Sequence, residues 1–357
     1  MSPTLSTATP AMGSQSPEQT TRATGLPDAK MYADAANGDQ CDSNRRACSP
    51  EFDRVALETV KVNERIQGRY RIGRMWQRMD SLGAPFWLVE LVDRTATLPT
   101  YGFPDKVEIP AAMPDATLVD VDFMTHVVRG VRGKLHAIAL AADTTGLDQV
   151  ATLPEGLCAI PGAVDGLYAV LNAVKTPALQ RFVGIILSDA ELCRQFLRVP
   201  ASLYDHHSYR SGLVAHSVQG ATFIESAHLI SEIERELAIV GFLFHDIGKI
   251  RTLDSTSLAR DTWRLIEHED LTLEILAPAL RQLDRDWPDG ALALRHAWTC
   301  ASPGASYGKK SASPIARLIR AADGMSQEID LMARYLGPDT RYHRFKDGRQ
   351  LWLPNVP

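Results

Sequence analysis

The sequence is poor in cysteine, in long apolar runs and in surplus charge of either sign, and each shortage removes a class of protein. Its five cysteines, Cys41, Cys48, Cys158, Cys193 and Cys300, are odd in number and scattered, which excludes a disulfide framework and points to free thiols in a reducing compartment. The one close pair, Cys41 and Cys48, has no second pair with which to form a zinc knuckle. Apolar stretches stop far short of the roughly 20 residues that span a bilayer. Met1-Ser2-Pro3-Thr4 has neither the basic cluster nor the apolar core of a secretory signal, so the expected location is cytoplasmic, with no membrane partner. The net charge of the 357-residue chain is only -5, which excludes a globally basic nucleic-acid binder. Any such site has to be a local, salt-sensitive groove.

Hydrophobic residues make up 45% of the chain, enough for two folded domains and a tail. Residues 1–55 are rich in Ser, Thr, Pro, Ala and Gly without apolar periodicity, and are expected to be a disordered tail. Over 60–150 short alternating segments, Tyr70–Met75, Phe86–Asp93, Leu118–Phe123, Val127–Arg132 and Leu135–Leu140, read as the strands of a small barrel with the OB-fold as leading candidate. Residues 151–166 read as a linker punctuated by Gly and Pro, 167–337 as an all-α domain, and 338–357 as a C-terminal tail on its surface. The expected fold class is multidomain β + α, a barrel followed by an all-α domain.

The α-domain carries the chemistry. Ala238 to Phe244 is almost wholly apolar and runs directly into His245-Asp246. A carboxylate set against such a core is costly unless a cation or a donor satisfies it. Imidazole and carboxylate together suit a divalent ion of the Mn, Fe, Co, Ni or Zn kind. Two more ligands are at hand on neighbouring helices: His216, 29 positions before His245, and Asp323 in Ala321-Ala322-Asp323-Gly324. Gly248 reads as the helix stop, with Lys249 beside it. In the barrel, Arg65, Arg69, Arg71, Arg74 and Arg78 have no acid between them and interleave with Tyr70 and Trp76. Arg71, Arg74 and Trp76 in particular could offer cations to phosphates and a ring to bases. Across 65–150 ten basic residues meet ten acidic ones, and a mere spacer is the competing reading.

The ordered set of His, His-Asp and Asp on three helices resembles the HD phosphohydrolase superfamily. Phe86-Trp87-Leu88-Val89, Asp93-Arg94-Thr95 and Lys134 to Ile138 in the barrel resemble the YhaM-type bacterial 3′-to-5′ exoribonucleases. So do Pro177 to Gln180, Phe196, Pro200-Ala201, His206-His207, Ser211-Gly212-Leu213 and His216 beyond it, and the resemblance runs from about Gln67 to Leu336. The helical block is also similar to TraI-type relaxases of conjugative elements. The resemblance implies a metal held by His216, His245, Asp246 and Asp323, with Asp246 orienting a water and Lys249 holding a phosphate oxygen as the catalytic residues. It implies His268 and His296 as candidate further ligands, and His206 or His207 as pocket histidines for substrate. Arg317 and Arg320, six and three residues before Asp323, are implied as phosphate clamps.

The activity so implied is metal-assisted hydrolysis of a phosphodiester at the 3′ end of a single strand, RNA ahead of DNA, with little sequence preference. Two other readings stay open. One is a hydrolase of small phosphorylated molecules such as nucleotides, whose turnover would survive deletion of residues 1–165. The other is a catalytically weakened binding protein of a mobile element. Homo-oligomerisation is left open too. One departure bears on catalysis: the YhaM-type pattern has an adjacent histidine pair between the position of His296 and a Tyr-Gly step, here Tyr307-Gly308, where this chain has Cys300-Ala301-Ser302. One tightly held ion per chain is therefore expected, with slow turnover and a gain of activity on restoring histidines at Ala301 and Ser302.

Overall fold

The computed structural model describes residues 55–354, apart from 111–115, 128–129, 143, 229, 257, 302–305 and 307. All but the last residue of the expected N-terminal tail, with Cys41 and Cys48, lies outside the described residues, as do Ser302 and Tyr307. Five strands close a barrel in the order β1-β2-β3-β5-β4: β1 (Arg65–Met79), β2 (Pro85–Val92), β3 (Thr97–Gly102), β4 (Leu118–Val127) and β5 (Val131–Leu140). The long β1 serves two neighbours. Arg65 to Arg71 pair with β4, and after a register shift between Ile72 and Met75 the rest pairs with β2. Gly73 sits in that shift, where a Cβ would lie 2.7 Å from Val92 Cγ2, so the bend needs a residue without a side chain. Alternate residues Ile66, Tyr70 and Ile72 point inward onto Val89, Leu91, Val121, Phe123 and Leu135.

Two strands differ from expectation. Thr97–Gly102 was not anticipated, because Pro99 and two threonines mask an alternation in which Leu98, Thr100 and Gly102 are the buried residues. Val127–Arg132 is not one strand: Val127 ends β4 and pairs with Val131 at the start of β5. Gly130, with φ 103°, supplies the left-handed backbone of the reversal.

The helices are α1 (Gly146–Ala151), α2 (Ala163–Asn172), α3 (Pro177–Ser188), α4 (Ala190–Phe196), α5 (Gly212–Glu225), α6 (Glu232–Phe244), α7 (Lys249–Thr252), α8 (His268–Asp286), α9 (Pro288–Thr299) and α10 (Pro314–Tyr335). Residues 151–166, expected as a linker, are packed instead: Leu153, Ile160, Ala163 and Val164 belong to the helical core. A capping box between Thr145 and Asp148 starts α1 directly after the barrel. α10 buries Ile315, Ala316, Ile319, Ala322, Ser326 and Asp330, the spacing of one helix face. The expected C-terminal tail holds a hairpin, β6 (Tyr342–Arg344) and β7 (Gln350–Trp352), whose His343 ring stacks 4.4 Å from that of Tyr335. None of the described helices is long and apolar enough to cross a membrane.

Barrel and helices meet at a polar seam. Arg71 points out of the barrel yet is only 4% exposed. It donates to Ala116 O at 2.7 Å, to Gln149 O at 3.0 Å and to Gln149 Oε1 at 2.9 Å. Arg69 reaches Asp148 at 3.2 Å and Arg94 reaches Asp165 at 3.0 Å.

Candidate metal centre

Three elements bring four side chains together. His216 is fully buried in α5, His245 and Asp246 occupy the turn after α6, and Asp323 projects from α10. His216 Nε2 lies 3.4 Å from His245 Nε2, 3.3 Å from Asp323 Oδ1 and 3.8 Å from Asp246 Oδ2. His245 Nε2 lies 3.4 Å from Asp246 Oδ2 and 3.8 Å from Asp323 Oδ1. Ligands about 2.1 Å from a shared ion stand roughly 3.0–3.5 Å apart, so these separations are close to those of a coordination shell.

The hydrogen bonds behind the rings fix which nitrogen faces inward. His245 Nδ1 is 2.7 Å from Phe242 O; a carbonyl only accepts, so Nδ1 carries the proton. Ser326 Oγ donates its one proton to Gln219 Oε1 at 2.6 Å, and therefore accepts from His216 Nδ1 at 3.0 Å. Both Nε2 atoms are left as bare lone pairs facing each other and two carboxylates, an arrangement that fits a divalent cation. The two carboxylates draw positive charge into this pocket, and without an ion they favour a proton on His245. Burial works against charge at both histidines and lowers His216, whereas Asp246 and Asp323 outweigh it at His245 and raise its pKa. Burial pushes Asp246 upward, but His245, Lys249 and His268 hold it well below the usual carboxylate range. Asp323 is held low in the same way, burial being outweighed by His216 and His245.

The remaining candidates divide sharply. Lys249 Nζ lies 2.5 Å from Asp246 Oδ2, at the edge of the cluster. His268 Nε2 donates to Asp246 Oδ1 at 3.0 Å, so it meets the centre through that carboxylate. His296 does not: its Nε2 accepts the Ala312 amide at 2.9 Å. Arg320 donates through Nη2 to the carbonyl of Cys300, and Arg317 is exposed on α10. The Ala301 amide, at the first position of the expected histidine pair, donates to Lys309 O at 2.7 Å. His206 and His207 are both buried. His207 Nδ1 meets Tyr209 Oη at 2.7 Å and its Nε2 meets Ser326 Oγ at 3.2 Å, whereas His206, pushed down to about 4 by burial and by His216, faces the cluster.

The arginine stripe of the barrel is a correction. Alternate side chains do share a face, but β4 lays Asp120 and Asp122 beside it. Arg65 donates to Asp122 at 3.0 and 2.7 Å, Arg69 to Asp120 at 2.8 and 3.0 Å, and Arg74 to Glu90 at 3.0 and 3.3 Å. Arg71 is buried in the seam, and Trp76 is half-buried with the Arg74 guanidinium 5.8 Å from its ring. Cross-strand acids thus pair with Arg65, Arg69 and Arg74, and Arg71 is taken up by the seam.

Sequence reading missed the residues behind the ligands. Ser326 stands one helical turn after Asp323, and that spacing could have marked it. Thr272 is fully buried and its Oγ lies 3.1 Å from the His245 carbonyl and 3.2 Å from the Gly248 amide, joining the ligand turn to α8. His207 also has a measurable signature. Burial pushes it down to about 3, so the folded chain favours the neutral ring. Its contribution to stability is complete above about pH 6.5 and is lost as pH falls towards 3, at up to about 1.4 kcal/mol per pH unit. Urea unfolding of metal-free protein should therefore weaken between pH 7 and pH 5, and His207→Gln should flatten that slope. Identical slopes would mean that the ring protonates without cost.

Residues 204–327 match the HD domain family. The 3′-5′ exoribonuclease YhaM of Shouchella clausii (strain KSM-K16) is 25% identical over 290 residues, covering 77% of this chain and 88% of the relative. The protein of the same name from Bacillus subtilis (strain 168) is 23% identical over 288 residues, 77% of this chain and 89% of the relative. That of Halalkalibacterium halodurans is 23% identical over 311 residues, 83% of this chain and 95% of the relative. The chain thus carries an HD domain behind an OB-like barrel, and along most of its length it resembles the YhaM-type 3′-5′ exoribonucleases.

Proposed function

We propose that this chain is a metal-dependent phosphodiesterase that removes nucleotides from the 3′ end of single-stranded RNA, with single-stranded DNA as second substrate. Its working parts would be the barrel over 65–140 and the helical domain over 146–335. The convergence of His216, His245, Asp246 and Asp323, with both Nε2 lone pairs turned inward, carries this reading. The relatives named above, similar along barrel and helices alike, support it. A divalent ion held by these four residues would lower the pKa of a water and offset charge on phosphoryl oxygens. His268 fixes Asp246 through Oδ1, which leaves Oδ2 directed at the cluster. Lys249 places an ammonium beside Oδ2, where it can meet a phosphoryl oxygen. With Ala301 where a histidine would stand, turnover should be slow.

Metal-supplemented protein incubated with end-labelled single-stranded RNA, single-stranded DNA and a nucleotide panel tests the proposal. Stepwise shortening of RNA from its 3′ end is expected. Nucleotide hydrolysis with intact RNA would replace this reading with the small-molecule one.

The outer surface next to Trp76 and Arg78, whose cross-strand partners are Leu88 and Phe86, supports the grip on a strand. Phe86 and Tyr101 each have their ring 5.9 Å from that of Phe103, and Lys106 Nζ lies 6.0 Å from the Phe103 ring. Arg132 and Asp80 line the same depression with Phe86, Leu88, Tyr101 and Phe103. Half-buried rings bordered by cations suit stacked bases and their phosphates, with each stack worth about 1–3 kcal/mol. Phe103→Ala combined with Arg132→Gln should weaken binding of a fluorescent oligouridylate by about tenfold or more, while hydrolysis of a small phosphodiester is unchanged. Unaltered binding would leave the barrel a spacer.

A further inference from the structure

We infer that His206 is a fifth protein ligand of the ion held by His216, His245, Asp246 and Asp323, and that the centre is thereby built for six-coordinate ions rather than tetrahedral zinc. This rests on the metal-centre reading proposed above. The loop that carries His206 is pinned on every side. Ser202 Oγ donates to His206 O at 2.8 Å and accepts the Asp205 amide at 3.0 Å. The Arg334 guanidinium donates to the Asp205 carbonyl. The His207 amide donates to Asp330 Oδ2 at 2.8 Å, and its carbonyl accepts the Ala201 amide at 3.1 Å. Two residues of the loop that are not glycine take left-handed backbone, His207 with φ 44° and Ser211 with φ 66°, at roughly 1–3 kcal/mol each.

All of this presents one ring. His206 is 8% exposed, and neither of its nitrogens has a hydrogen-bond partner among the described residues, the Asp205 carboxylate standing 4.0 Å from Nδ1. Leaving a buried polar atom unpaired costs about 1–3 kcal/mol, which a packed loop does not bear without return. The return is next door. A His206 nitrogen lies within 4.8 Å of ligand atoms of both His216 and Asp323, while His216 also belongs to the triplet with His245 and Asp246. The other histidines near the pocket have partners: His207 has Tyr209 and Ser326, His268 has Asp246, and His296 has Ala312. Three imidazoles and two carboxylates leave one position for water or substrate, a set that Mn(II), Fe(II), Co(II) and Ni(II) accept and that exceeds the four ligands zinc favours.

Cobalt substitution tests this directly. The wild type loaded with Co(II) should show the weak visible absorption of a five- or six-coordinate ion. His206→Phe keeps a buried ring without a nitrogen, and it should shift the spectrum towards the stronger bands of lower coordination. Its Mn(II) dissociation constant should rise by about tenfold or more, with a smaller change for Zn(II). His206→Ala gives the same readings should the phenylalanine variant fail to melt cooperatively. An unchanged cobalt spectrum and Mn(II) affinity in a folded variant would overturn the assignment. So would two Mn(II) per wild-type chain falling to one, since His206 would then serve a separate ion. A wild type that takes up no ion at all defeats the metal-centre reading itself, a different result from an ion bound alike by every variant.

Discussion

Asp246→Ala should purify almost free of transition metal and inactive on RNA. The carboxylate is 6% exposed and stands beside four groups of the centre, with His216 and His245 at Oδ2, Lys249 at the same oxygen and His268 at Oδ1. Its removal takes away one ligand and also strips the Lys249 ammonium of the carboxylate it pairs with. Loss of a partner standing behind a ligand typically costs about 10–100-fold in metal affinity, and loss of the ligand itself should exceed the upper figure. Elemental analysis of gel-filtered protein is the direct measurement. Equal metal content in wild type and variant would refute the ligand assignment, whatever happened to activity.

Gly248→Ala should be nearly as damaging without touching a ligand. A Cβ on Gly248 would stand 1.8 Å from the His268 carbonyl oxygen and 2.7 Å from its carbon. Those are backbone atoms, so the first turn of α8 has to move. With it go the Gly248 amide to Thr272 Oγ contact, the hold of Thr272 on His245 and the bond from His268 to Asp246. Overpacking and the lost hydrogen bonds together should cost about 2–4 kcal/mol in urea unfolding, with weaker metal uptake. Gly324→Ala is the control. It adjoins Asp323, but a Cβ there meets nothing within 4 Å. If both variants unfold alike, crowding against α8 is not what Gly248 provides.

That glycine shows where sequence reading stops. His245-Asp246 at the end of an apolar run, with His216 before it and Asp323 after it, is legible because the chemistry lies in residue type and order. Gly248 was expected as a helix stop, yet its φ of −55° and ψ of −26° are ordinary helical values and α7 begins beside it. Its reason is the approach of α8, which no local pattern announces. The arginines of β1 fail in the same way. Their common face follows from strand periodicity, but Asp120 and Asp122 reach it from a strand some 50 residues later, and neutralisation across a register depends on pairing. His206 is the opposite case, since its residue type was visible and its lack of a hydrogen-bond partner among the described residues was not.

The seam at Arg71 decides how the barrel's role can be measured. A guanidinium buried against Gln149 makes the barrel part of the surface that α1 leans on. A truncation after residue 165 would cut through the core that Val150, Leu153, Ile160 and Val164 help to fill, and a cut nearer 141 would still strip Gln149 of its partner. Loss of turnover in either fragment would report a wounded scaffold, not a missing grip on RNA. Scissors are the wrong instrument for this protein, and single side chains on the aromatic face, far from the seam in sequence and free of its bonds, are the right one.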